Sequence, residues 1–158
     1  MTVAIVGAGL GGIAAAVKLQ QAGFPRFTVF EQSAGPGGTW WDNTYPGAEV
    51  DIHSHLYSYS FRAHDWTRTH AGQAELQRYI EETIDCFGVG DRLRLGARVE
   101  QVTWDDEREH WWVRLAAGEE LAYDMVISAV GLLNHPRLPD WPGLDTFAGP
   151  HFHTARWE

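Results

Sequence analysis

The chain has 158 residues, with 12 Lys and Arg against 21 Asp and Glu and a formal net charge of −9. Its 44% apolar and 21% charged residues can fill one domain core, which excludes a wholly disordered chain, and the excess of acid excludes a general binder of phosphate backbones. One cysteine, Cys86, excludes a disulfide-stapled scaffold and a cysteine zinc framework.

Thr2 to Val6 read as a short, fully apolar strand, and Gly7-Ala8-Gly9-Leu10-Gly11-Gly12 follows at once. Ile13 to Ala22 is Ala-rich and reads as a helix that stops near Gly23. Phe27 to Phe30 is a second strand that finishes on Glu31. The apolar run from Val3 to Val17 has no preceding Lys or Arg, is broken by glycines and is too short to span a bilayer. With no repeat at a solenoid period, the expectation is a cytoplasmic chain without membrane or nucleic-acid partners.

From Gly35 to Phe61 the chain reads as a long ordered loop rich in glycine and aromatics, and such loops in compact domains usually carry function. Gln73 to Phe87 then places Leu76, Tyr79, Ile80, Ile84 and Phe87 at helical spacing, with Cys86 expected to be buried or half-buried beside that stripe. Leu93 to Leu95 and Val99 to Trp104 read as strands, Asp105 to His110 as a charged turn and Trp111 to Leu115 as the returning strand. After a turn at Gly118, Leu121 to Val130 reads as one further buried strand.

The pattern G-x-G-x-x-G is met by Gly7, Gly9 and Gly12, between a strand and a helix. Gly7 permits the tight turn, Gly9 lets a pyrophosphate approach the backbone, and Gly12 lets helix and strand pack closely. The helix N-terminus supplies donors and partial positive charge for an anion without needing a lysine. Glu31 stands at the end of the second strand, where a carboxylate accepts from both ribose hydroxyls and repels a 2′-phosphate. These residues predict FAD or NAD at this site rather than NADP. An NAD dehydrogenase continues from its acidic strand into further strand and helix alternation, and this chain instead enters the loop at Gly35.

Gly37-Gly38-Thr39-Trp40, Tyr45-Pro46-Gly47, Asp51 and the run from Ser54 to Phe61 resemble the flavoprotein monooxygenases that bind two dinucleotides, most closely the Baeyer-Villiger type. Phe147 to Trp157 is similar to the signature F-x-G-x-x-x-H-T-x-x-W of that type, and Thr154 and Trp157 separate it from the N-oxidising flavin-containing monooxygenases, with Glu158 where the family usually has Pro or Asp. The resemblance implies a Rossmann-like α/β fold with a parallel sheet and an inserted β-meander. It implies that Gly38, Thr39, Trp40 and Tyr57 lie beside the flavin, that the Val99 backbone contacts the adenine, and that Gly131 follows the strand returning to FAD. Asp51 would be the catalytic residue of this chain, near the isoalloxazine, where it positions an arginine from later chain. His153 would link cofactor binding to domain movement.

By the same resemblance residues 1–146 form the FAD-binding domain and 147–158 a linker towards an NADP domain. The implied activity uses FAD, NADPH and O2 to insert oxygen into a ketone or to oxidise a sulfide, and this chain alone, with one glycine fingerprint, is expected to be inactive. The alternatives are a stand-alone module holding FAD or its ADP moiety, and part of an N-oxidising monooxygenase. The pairs His53/His55 and His151/His153 lack an acidic third ligand at metal spacing, so no metal site is expected. Ser54, Ser58 and Ser60 lack a G-x-S-x-G elbow.

Overall fold

The computed structural model describes residues 1–157. Four short strands, β1 (Val3–Val6), β2 (Phe27–Phe30), β3 (Leu93–Arg94) and β7 (Met125–Ser128), form a parallel sheet in the order β3-β2-β1-β7. Helices α1 (Leu10–Gln21) and α3 (Gln73–Phe87) belong to the layer on one face, and α2 is the four-residue helix Thr39–Asp42. An antiparallel meander of β4 (Val99–Asp105), β5 (His110–Leu115) and β6 (Glu120–Tyr123) packs on the other.

Alternation along the strands builds the three layers. In β1, Val3 and Ile5 face the helices and pack with Ile13, Val17, Leu76 and Ile80, while Ala4 faces the meander with Phe30, Val113 and Leu115. Both sheet faces are thus covered, which is why β1 reads as a continuous apolar run and β2 is apolar but for Thr28. The stripe on α3 is buried as its spacing predicts, and the helix stops at Gly88 in the left-handed conformation (φ 61°).

Three expectations are corrected. The stretch from Leu121 to Val130 is two strands in different sheets, not one: β6 pairs with β5 and β7 with β1. The break falls at Asp124, a poor strand former whose carboxylate accepts from the backbone N–H and the hydroxyl of Thr2 where the chain crosses between layers. Helix α1 begins at Leu10 rather than Ile13, because Gly11 and Gly12 of the turn are already helical. Cys86 is exposed, since the last turn of α3 leaves Asp85 and Cys86 uncovered and Phe87 only half-buried. Among the described residues no helix is long and apolar enough to cross a membrane. Glu158, the last residue of the expected linker, lies outside the described residues.

Candidate dinucleotide site

The carboxyl ends of β1, β2 and β7 open into a cavity of about 600 Å³, within the roughly 300–1,000 Å³ usual for small-molecule sites. Its position follows from topology. The strands either side of β1 are reached by connections that leave in opposite directions, and the crevice at such a reversal is where open α/β sheets bind ligands.

The floor is the glycine turn. Gly7, at φ +104°, leaves no room for a side chain, because a Cβ there would meet the Ala129 carbonyl oxygen at 2.4 Å. Gly12 lies behind the cavity against the Gly7 carbonyl and the Ala129 side chain, which is the close packing expected of it. Gly9 faces the cavity, and the nearest atom to a Cβ added there is the Gly38 Cα at 3.7 Å. The two glycine segments also meet through the Gly37 N–H, which donates to the Ala8 carbonyl at 3.0 Å.

Helix α1 has no side-chain cap and no acidic residue in its first turn, and Gly9, Leu10 and Gly11 at its start line the cavity. Its first N–H groups therefore have no intrahelical acceptor and point partial positive charge at the space an anion would fill. The Tyr59 hydroxyl holds the helix start by donating to the Leu10 carbonyl at 2.9 Å, and burial pushes that phenol above its usual range.

Glu31 is buried, 5% exposed, at the end of β2. Its Oε2 accepts from the Ala8 N–H at 2.8 Å and its Oε1 from the Ser33 N–H at 2.9 Å. The carboxylate fixes the shape of the glycine turn, and each oxygen still has a lone pair for a ribose hydroxyl. That second duty of Glu31 leaves no mark in the sequence, because it depends on the β2 end and the glycine turn meeting in space. Beside Glu31, Val99 lines the cavity together with its neighbours Arg98 and Glu100.

The wall across the cavity is Gly38, Thr39, Trp40 and Tyr57. Trp40 is buried, and its ring meets Tyr57 edge-on at 5.8 Å while its indole N–H donates to the Tyr57 hydroxyl at 3.3 Å. Gly131, at φ +73°, leads from β7 to Leu133, Asn134 and His135, which close the far end. Nothing in the sequence pattern singles out Asn134 or His135, since no secondary-structure period covers them.

Asp51 stands apart: it is exposed and does not line the cavity. Ser54, by contrast, is fully buried, and its hydroxyl donates to the Thr69 carbonyl at 3.0 Å and accepts from the Ala71 N–H at 2.8 Å. It is a structural tie between the aromatic loop and the start of α3. The rings of His53 and His55 stack at 5.3 Å, and among the described residues no group of three His, Cys, Asp or Glu is placed to hold a metal. His153 accepts the Ala155 N–H on Nδ1 at 3.0 Å within the terminal segment.

Comparison with known proteins agrees with this geometry. Residues 5–71 match the NAD(P)-binding Rossmann-like domain, and residues 47–142 match the family described as Flavin containing amine oxidoreductase. A Baeyer-Villiger monooxygenase of Streptomyces coelicolor is 45% identical over 157 residues, covering 99% of this chain and 30% of that protein. A Baeyer-Villiger monooxygenase of Pseudomonas aeruginosa is 37% identical over the same shares. Among solved structures, cyclohexanone monooxygenase in its closed form superposes with a TM-score of 0.93 at 38% identity, covering 99% of this chain and 30% of that one. OTEMO in complex with FAD and NADP superposes with a TM-score of 0.92 at 32% identity, covering 100% and 31%. The chain thus spans about 30% of the length of the curated relatives it matches, and the Rossmann-like α/β fold is theirs.

Proposed function

The chain belongs to the flavin containing amine oxidoreductase family, and from that premise we propose that it is the FAD-holding part of an NADPH-dependent monooxygenase of the Baeyer-Villiger type. The observation that carries the reading is the cavity itself: an uncapped helix start, a glycine turn open at Gly9 and the Glu31 carboxylate lie along one crevice at the ends of β1 and β2.

The residues fit the group. Gly7 and Gly9 bring the backbone to the pyrophosphate, and Gly12 lets α1 approach closely enough to aim its N–H groups there. Glu31 would accept from the adenosine ribose, and the Val99 backbone, which also lines the cavity, would meet the adenine. Gly38, Thr39, Trp40 and Tyr57 form the wall at the flavin end, where the buried indole excludes water and gives a rigid face. Bound there, FAD supplies redox chemistry, drawing electrons from NADPH and an oxygen atom from O2, with a ketone or a sulfide as the substrate of the complete enzyme. The role of Asp51 in holding an arginine of the longer protein against the flavin rests on the family resemblance alone, as Asp51 is exposed and outside the cavity lining. Residues 1–146 form the FAD domain and the segment from residue 147 leads towards an NADP domain.

The test is to purify the chain, identify by mass any small molecule that copurifies, and titrate FAD against NAD and NADPH. FAD binding in preference to NAD and NADPH, with a flavin spectrum, supports the reading. Preference for NAD, or no dinucleotide bound at all, removes it.

A further inference from the structure

Arg156 lies outside every residue assigned above, yet it touches both sides of the cavity's far end. The cavity starts over β2 at Glu31, crosses β1 at the glycine turn and finishes past β7 at Asn134 and His135. One side of that far end is α2, whose Thr39 and Trp40 line the cavity and whose last residue is Asp42. The other is the segment after Gly131.

The Arg156 Nη2 donates to the Asn134 backbone carbonyl at 3.1 Å and to its Oδ1 at 3.2 Å, while Nη1 stands 3.8 Å from the Asp42 Oδ2 and donates to the Ala155 carbonyl at 2.6 Å. Trp157 rests against Tyr45, with ring centroids 6.1 Å apart, three residues beyond α2. Asp42 is half-buried, and burial raises its pKa while Arg156 opposes the rise and Glu31 adds to it. Truncating Arg156 would leave that carboxylate partly desolvated and without its counter-charge. A planar guanidinium donates to Asn134 and Ala155 while it faces the Asp42 carboxylate, whereas a lysine ammonium is a single point charge.

We propose that Arg156 is a positioning residue that clasps α2 to the segment 131–135 and so sets the width of the cavity end where the isoalloxazine half of FAD lies. The proposal rests on the dinucleotide reading above. A ligand that fills the far end and the clasp favour the same arrangement, so each strengthens the other; a ligand confined to the glycine turn and Glu31 gains nothing from it.

That contrast supplies the experiment. FAD and ADP are each titrated into the 158-residue chain, wild type, Arg156→Ala and Arg156→Lys, by calorimetry, with bound-flavin anisotropy as a second readout. Arg156→Ala is expected to weaken FAD about fivefold, less than loss of a full charge-assisted hydrogen bond, and to leave ADP within about twofold. Bound flavin in that variant should rotate more freely, and Arg156→Lys should restore part of the loss through Asp42. Unchanged FAD affinity in Arg156→Ala overturns the clasp, and so does equal weakening of FAD and ADP, which would mark general damage. A wild-type chain that binds FAD no better than ADP overturns it too, because the far end is then not engaged. A wild-type chain that binds neither nucleotide removes the dinucleotide reading, and the clasp with it.

Discussion

Gly12 sits so close under Gly7 that a Cβ added to it would lie 1.8 Å from the Gly7 carbonyl oxygen. The neighbour is backbone held in the turn, so it has no side chain to swing aside. Gly12→Ala is therefore expected to cost stability by about 3 kcal/mol, the upper part of the range for overpacking. Gly9→Ala meets nothing closer than 3.7 Å, so it should change stability little while blocking the approach of a pyrophosphate. Urea titration and FAD titration of the two variants separate the roles; comparable stability loss in both would remove the distinction.

Glu31 yields a second expectation, sharpened by its backbone contacts. Gln in its place keeps one acceptor but turns an NH2 group towards one of the two N–H donors, at Ala8 or Ser33. Glu31→Gln should therefore destabilise the chain by about 1–3 kcal/mol besides weakening FAD. Glu31→Arg, which removes both acceptors and adds a bulky cation at the ribose, should weaken FAD further still. Unchanged FAD affinity in both variants would take Glu31 out of the site.

The hairpin between β4 and β5 carries an acid-sensitive turn. Asp105 accepts from the side chains of Arg108 and Trp112 and from backbone N–H groups at 107 and 108, and its pKa falls from 3.8 to about 2, the Arg108 hydrogen bond first among the causes. A carboxyl depressed in the folded state stabilises above its unfolded pKa and loses that contribution as pH falls through the folded value. Trp112 fluorescence should therefore report loosening of the turn between about pH 4 and pH 2, and Asp105→Asn should abolish that transition. A transition that persists in the variant would place its origin elsewhere.

In the same turn Glu109 is the single described non-glycine residue at positive φ, 52°. The left-handed region costs a residue with a Cβ about 1 kcal/mol. Glu109→Gly should raise stability by part of that amount, about 0.5 kcal/mol, because glycine also gains freedom in the unfolded chain. Thermal unfolding of the variant checks the sign: a lower midpoint would show that the Glu109 side chain contributes more than its backbone costs.

Local chemistry made much of the fold legible. Val3 to Val6, Phe27 to Phe30 and Gln73 to Phe87 declare themselves by period and by bounding glycines, and the glycine turn with Glu31 declares the crevice. What stayed hidden depends on residues distant in sequence meeting in space. The contact of Glu31 with Ala8 spans 23 positions, that of Asp124 with Thr2 spans 122, and that of Arg156 with Asn134 spans 22. The split of Leu121 to Val130 has the same origin: both halves are apolar enough for a strand, and only the second sheet shows that the chain changes layers at Asp124. Ser54 lacks a catalytic elbow in sequence, and its buried hydroxyl instead ties the backbone at 68–71, a role that shows only once those segments meet.

The 158-residue chain is expected to show no NADPH-dependent oxidation of a ketone, even when it holds FAD. Such a reaction draws electrons from one dinucleotide into another, and the chain carries a single G-x-G-x-x-G, Gly7 to Gly12, whose Glu31 repels the 2′-phosphate that distinguishes NADPH. A second cavity, of about 230 Å³, lies on the meander among Gln101, Thr103, Trp112, Arg114 and Glu120, with neither a glycine turn nor a helix N-terminus. At the far end of the main cavity Leu132 is 99% and Leu133 80% exposed, so apolar surface next to the flavin end faces water. A bound isoalloxazine would be poorly shielded there, and retention of FAD through gel filtration should be incomplete. The measurement mixes pure chain with FAD, NADPH, O2 and cyclohexanone and looks for lactone by chromatography, against a control with free FAD. Product above that control would show that this one crevice serves both nucleotides, and that the Glu31 carboxylate does not exclude the phosphate.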